Sequence, residues 1–159
     1  MKHPLLILTL LLLAILPASA VKKIEANPIN VAFILAQETD SAKIASICDY
    51  YGYQPSPDNT TLPSGGRGAY SSTYLHPNGS ILRISFRDAT PDQPYPQVEV
   101  KSKQSSKDID YTLTDLRFEK QGNGYERKLG QYARYSTICK HTPRGFLLFQ
   151  HIHLPRKIQ

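Results

Sequence analysis

Cysteine is scarce in this chain: Cys48 and Cys139 are the only two among 159 residues. Two cysteines allow one intramolecular pairing. Long apolar runs are as rare. The one present, from Leu5 to Leu16, is short for a membrane-crossing helix and is followed closely by Lys22 and Lys23 in place of a stop-transfer pattern, so no membrane span is expected. The chain has no Gly-x-Ser-x-Gly elbow and no Gly-x-x-x-x-Gly-Lys loop, which argues against a serine-nucleophile hydrolase and a phosphate-loop enzyme. SGGRG, from Ser64 to Gly68, is glycine-rich but precedes a strand pattern, so it reads as a loop. Metal ligands are few as well. In a strand His151 and His153 would stand on one face, yet besides them the mature chain holds only His76 and His141, with no carboxylate at an obvious ligand spacing. Zinc wants three or four protein ligands, so neither a metal nor a cofactor is expected.

What is present begins with an address. MKHPLLILTLLLLAILPASA combines a short n-region, a leucine-rich core and the small-residue site Ala18-Ser19-Ala20, the pattern of a secretory signal peptide cleaved after Ala20. Residues 1–20 are therefore assigned as signal peptide, 21–36 as a leader and first element, and 37–159 as a single domain; the product is expected to be secreted, extracellular or periplasmic in a bacterium. An even cysteine count in a secreted protein predicts a Cys48–Cys139 disulfide, which over so long a loop would stabilise by roughly 4 kcal/mol. The formal net charge is +6, but the basic residues are scattered. That suits a solvated positive surface, with phosphate or nucleic acid as the competing use.

Along the chain, INVAFILAQE after Pro28 is apolar on all sides and fits a strand or the start of a helix. The stretch TDSAKIASICDYYGY predicts a helix: Thr39 or Asp40 is the N-cap, Ile44, Ile47, Cys48 and Tyr51 share one face, and Gly52 ends it. Gln54 to Gly68 reads as a long loop. Hairpin signals follow at Pro77-Asn78-Gly79 and Gly122-Asn123-Gly124. Leu82, Ile84 and Phe86 alternate on one face, and Val98 and Val100 point inward with Glu99 opposite. Ser105 to Asp115 mixes helical spacing with threonines and is expected to be irregular. FLLFQHIHL carries apolar residues on both faces and is expected to be covered on both sides. The sum is an α+β domain, one main helix packed on an antiparallel β-sheet and stapled by one disulfide.

Tyr74-Leu-His76, Glu99 after Tyr95, Arg117, and His141-Thr142 after STICK occur in the order of the catalytic groups of the small guanyl-specific ribonucleases of fungi, which this chain resembles from about Cys48 onwards. That resemblance implies Glu99 as the base, His141 as the acid, and Arg117, Tyr74 and His76 as phosphate-holding groups. Spacings wider than the family's, a missing proline after the glutamate strand, and a cysteine inside the helix depart from the pattern. With the signal peptide and cysteines, the layout is similar to the ribonuclease-like effectors of plant-associated fungi, which implies a kept fold and lost catalysis. The expectation is thus a monomeric, non-enzymatic binding protein acting on a host protein, RNA or other anionic ligand. An active ribonuclease and a bacterial periplasmic inhibitor or immunity protein are the alternatives. Tyr50, Tyr51, Tyr53, Arg67 and Tyr70 form a candidate binding face, and Asn59 and Asn78 sit in glycosylation sequons.

Overall fold

Pro28 at the first turn has no N–H to leave unpaired, and the Asn27 side chain accepts from Ile29 N; together they start helix α1, Pro28–Leu35. The segment that fitted either strand or helix is therefore a helix. A computed structural model of the chain describes residues 27–59, 71–86, 94–128 and 134–154. The assigned signal peptide lies outside those residues. Helix α2, Ser41–Tyr50, is capped by Asp40 and buries Ile44 and Cys48. Helix α3, Ser106–Asp115, occupies the segment expected to be irregular. Its Ser105 cap bonds Asp108 through both backbone and side chain, and Leu113 is fully buried. This cap and a single apolar anchor outweigh the strand preference of the threonines. No helix among the described residues is long and apolar enough to cross a membrane.

Among the described residues eight strands form one antiparallel sheet: β1 Gln54–Pro55, β2 Ser71–Leu75, β3 Ile81–Ser85, β4 Gln97–Lys101, β5 Glu119–Gln121, β6 Gly124–Lys128, β7 Tyr135–His141 and β8 Leu147–His153. Their spatial order is β1-β2-β3-β4-β8-β7-β6-β5. The sheet is thus two four-stranded meanders joined where β4 pairs with β8, Val98 opposite Phe149 and Val100 opposite Leu147. Each meander follows a helix, α2 before β1 and α3 before β5, and an axis normal to the sheet between β4 and β8 relates the two halves topologically.

The junctions match position for position. Asp40 and Ser105 take the first helical amides, Ile44 N→Asp40 O and Ile109 N→Ser105 O at 3.0 Å each. Gly52 N→Asp49 O with Tyr53 N→Cys48 O closes α2, and Arg117 N→Thr114 O with Phe118 N→Leu113 O closes α3. Both ends turn through a left-handed residue, Gly52 at φ 83° and Arg117 at φ 62°. Tyr53 and Phe118 then enter the core.

Register fixes what each face holds. Leu82, Ile84, Val98, Val100, Leu147, Phe149 and Cys139 face the helices, where α1 supplies Ile29, Val31, Phe33 and Leu35 to the same core. Each fully buried aliphatic or phenyl group contributes on the order of 1.5–3 kcal/mol.

The expected disulfide is not there. Cys48 and Cys139 are both free and buried. Cys48 sits on α2 near Tyr53, in the first half, and Cys139 on β7 beside Tyr125, in the second. The two are not within the roughly 7 Å between Cα atoms that a bridge requires. Burial pushes both thiols up to about 12, so at neutral pH each is a small apolar core group rather than a nucleophile.

Candidate binding face

The three described helices lie on one side of the sheet, so the other side belongs to alternate residues of the strands. Its middle row runs Thr73, Arg83, Glu99, Leu148, Lys140, each opposite the next. The next row holds Ser85, Gln97, Gln150, Ile138 and Glu126. Leu148, Ile138 and Ile152 are half-buried there, with none of the described helices over them. Of the two-sided cover expected for FLLFQHIHL, the described helices supply one side; on the other side of β8, Leu148 and Ile152 are half-buried.

Among the described residues, one aromatic ring belongs to this open face. Phe146, just before β8, stands outside the core cluster yet is only 4% exposed. Arg83 covers it, with its guanidinium carbon 4.4 Å from the ring centroid, and the Lys101 ammonium is 5.8 Å away. Glu99 approaches Arg83 at 3.9 Å. Both members of that pair are more than a quarter exposed, so it contributes at most about 1 kcal/mol. The cluster is therefore an apolar plate under two movable cations. At the far edge Lys128 and Glu126 pair at 3.2 Å, and Ser136 donates to Glu126, which holds that carboxylate below its ordinary value.

The five residues suggested by the ribonuclease likeness are not brought together. Tyr74 is 6% exposed on the helix side, opposite Leu82, while Glu99 projects from the other side. His141 ends β7, four strand steps from the strand of Tyr74, or about 19 Å at ~4.8 Å per step. Arg117 is the left-handed turn residue after α3. The His76 ring packs on Tyr53 at 4.9 Å, and its Nδ1 accepts from Asn78 N.

His151 and His153 share a face, but Tyr135 stands against both, 5.3 Å from the first ring and 5.0 Å from the second. His151 is 7% exposed, bonds Thr137 through Nδ1 at 2.7 Å, and meets Tyr95 edge-on at 4.5 Å. These contacts make a packed aromatic cluster. Among the described residues no group of three or more histidine, cysteine, aspartate or glutamate side chains could hold a metal ion.

Of the tyrosine-rich face read from the sequence, Tyr50 is 56% exposed and Tyr51 packs edge-on against it at 5.0 Å. Tyr53 is buried and bonds Ser80 Oγ at 2.9 Å, a core role. Arg67 and Tyr70 lie outside the described residues. Asn59 donates its amide to Thr73 O and accepts from Thr73 N, extending the edge of β2. Asn78 is exposed, and its Oδ1 accepts from both Ser80 N and Ser80 Oγ. Sequence reasoning passed over Phe146, Leu148 and Ile138 as site residues; the signal was the two-sided apolar character of FLLFQHIHL. Comparisons with known protein families, with curated proteins and with solved structures return no match to this chain, so the ribonuclease likeness rests on the quoted residues alone.

Proposed function

We propose that this is a secreted, non-enzymatic binding protein that holds a protein partner against the helix-free face of its sheet. The observation that carries the reading is Phe146 under Arg83 and Lys101, beside the half-buried aliphatic residues Leu148, Ile138 and Ile152. Aromatic and arginine side chains dominate interface energetics because they bring rigid apolar area with polar ends. Lys101 and Lys140 add positive charge on the same face. An acidic segment carrying an apolar side chain is the matching surface: its carboxylates draw the two cations aside and its apolar group meets the exposed ring. The partner is a host macromolecule in the effector reading and a toxin or hydrolase in the inhibitor reading; the face serves either.

The test is affinity capture from the fluid in which the protein acts, repeated with Leu148→Asp and Arg83→Glu variants whose circular dichroism matches the parent. A partner retained by the parent and lost by both variants supports the reading. A partner retained equally by both places the interface elsewhere. A parallel assay for RNA cleavage is expected to show none, because Tyr74 and Glu99 stand on opposite sides of the sheet; cleavage abolished by Glu99→Gln would overturn the non-enzymatic assignment.

A further inference from the structure

A cavity of about 380 Å³ opens at one end of the sheet, where three segments meet: the start of α1 with Asn27, the β2–β3 turn with Asn78 and Ser80, and the β4–α3 connection with Ser102, Lys103 and Gln104. Pro28 is the one apolar lining residue. The volume is within the range of small-molecule sites, and the lining holds a cation and no carboxylate.

The hydrogen-bond accounting of that lining is one-sided. Every amide oxygen in it is already engaged within the fold. Asn27 Oδ1 accepts from Ile29 N, Asn78 Oδ1 from Ser80 N and Oγ, and Gln104 Oε1 from Ser102 Oγ. Ser102 Oγ in turn accepts from Gln104 N, and Ser80 Oγ pairs with the Tyr53 hydroxyl. The Asn27 amide nitrogen is taken by Thr112. What is left, among the described residues, is donors: Asn78 Nδ2, Gln104 Nε2 and the Lys103 ammonium. The ammonium belongs to an exposed residue next to the β2–β3 turn. It lies across Gly79, whose φ is +85° and where an added Cβ would come within 2.7 Å of Lys103 Cε and Nζ. Glycine at this turn serves both the left-handed backbone and the close passage of the lysine.

We propose that this cavity binds a small polar molecule through one anionic oxygen group, a carboxylate or a phosphate. Three donors, one of them charged, with no carboxylate in the lining to repel an anion, match such a group; charge-assisted bonds from Lys103 would supply most of the affinity. The site is distinct from the open sheet face and stands whether or not that face docks a partner.

The test is an amide-shift titration of the unglycosylated mature protein with sodium phosphate and, separately, with sodium acetate, each referenced to sodium chloride at equal ionic strength. Saturable shifts confined to residues 78–80 and 102–104 are expected, with affinity at least tenfold weaker in Lys103→Gln and in Asn78→Asp. Saturation by phosphate alone assigns the phosphate class, by acetate alone the carboxylate class, and by both a general oxyanion site. Shifts that match chloride, fail to saturate, or centre on Lys140 and Arg144 would overturn the site. Both variants alter exposed side chains, and their unchanged spectra away from the cavity verify that they fold.

Discussion

The two halves of this molecule share a plan and differ in how they carry it out. In the first, α2 turns into β1 through Gly52; in the second, α3 makes the same turn into β5 through Arg117, the only non-glycine residue with positive φ among the described residues. The first half alternates cleanly, with Leu82, Ile84, Val98 and Val100 fully buried or nearly so. In the second, β5 is exposed along its length and β6 has no fully buried residue. Helix α1 adds to this imbalance, contributing most of its surface to the core against β4. The same topology is thus built once with residues suited to each position and once with substitutes, so the β5–β6 edge is where local opening should begin.

The largest effect should come from the seam. Phe149 is fully buried on β8, opposite Val98 and Cys139, and packs edge-on with Phe118. Phe149→Ala is expected to cost about 3–5 kcal/mol and to lower the stability of both halves together, read as one shifted denaturant midpoint. Two separate transitions in the variant would show that the halves fold as independent units.

The helix ends give the sharpest contrast. Gly52→Ala should destabilise by about 1 kcal/mol, because an L side chain at φ 83° meets the following carbonyl. Arg117→Gly should stabilise by about 0.5–1 kcal/mol, the relief of left-handed strain less the entropy of a glycine. Substitutions with opposite signs at equivalent positions would establish the repeat energetically. A destabilising Arg117→Gly would instead mean that the guanidinium makes contacts worth more than the strain.

A smaller effect belongs to the second half alone. Burial holds the His151 imidazole below its ordinary 6.5. Below that pH the unfolded chain binds more protons than the folded one, so stability present above about 6.5 is lost progressively as pH falls towards the folded value. Tyr95, Tyr135 and Thr137 face the ring, and none of them carries charge in this range. His151→Phe should flatten the dependence of the melting temperature between pH 7 and 5. An unchanged slope would place the titrating group elsewhere.

Much of this plan was legible locally. Asp40 and Gly52 bracket α2 by their chemistry, and alternation marked Leu82, Ile84, Val98 and Val100 as inward. What escaped was set by distant parts of the chain. The α3 segment offers only Ile109 and Leu113 to a helical stripe, and it is the core beneath Leu113 that makes it a helix. The open face escaped for a similar reason: that Leu148 and Ile138 neighbour Lys140 and Gln150 follows from the pairing of β7 with β8, and the seating of Phe146 beneath Arg83 from that of β3 with β4. The repeat itself is carried by cap and turn geometry, with Cys48 matched to Leu113 and Tyr53 to Phe118, so the letters share little.

The cysteines supply the smallest predicted effect and a strict test of the comparison. Two cysteines behind a signal-peptide pattern invite a bridge, but each thiol is buried in its own half, Cys48 with Tyr53 and Cys139 with Tyr125. Reductant should therefore leave the melting temperature unchanged. A thiol reagent should label both positions only once the protein is denatured, because burial both blocks access and holds the thiols near 12. Labelling during partial denaturation separates the halves: Cys139, on the strand beside the sparsely buried β6, should react at lower denaturant than Cys48 on α2. Equal reactivity would mean that the edge is no weaker than the rest of the sheet, and a melting temperature lowered by reductant would mean that the halves are covalently joined.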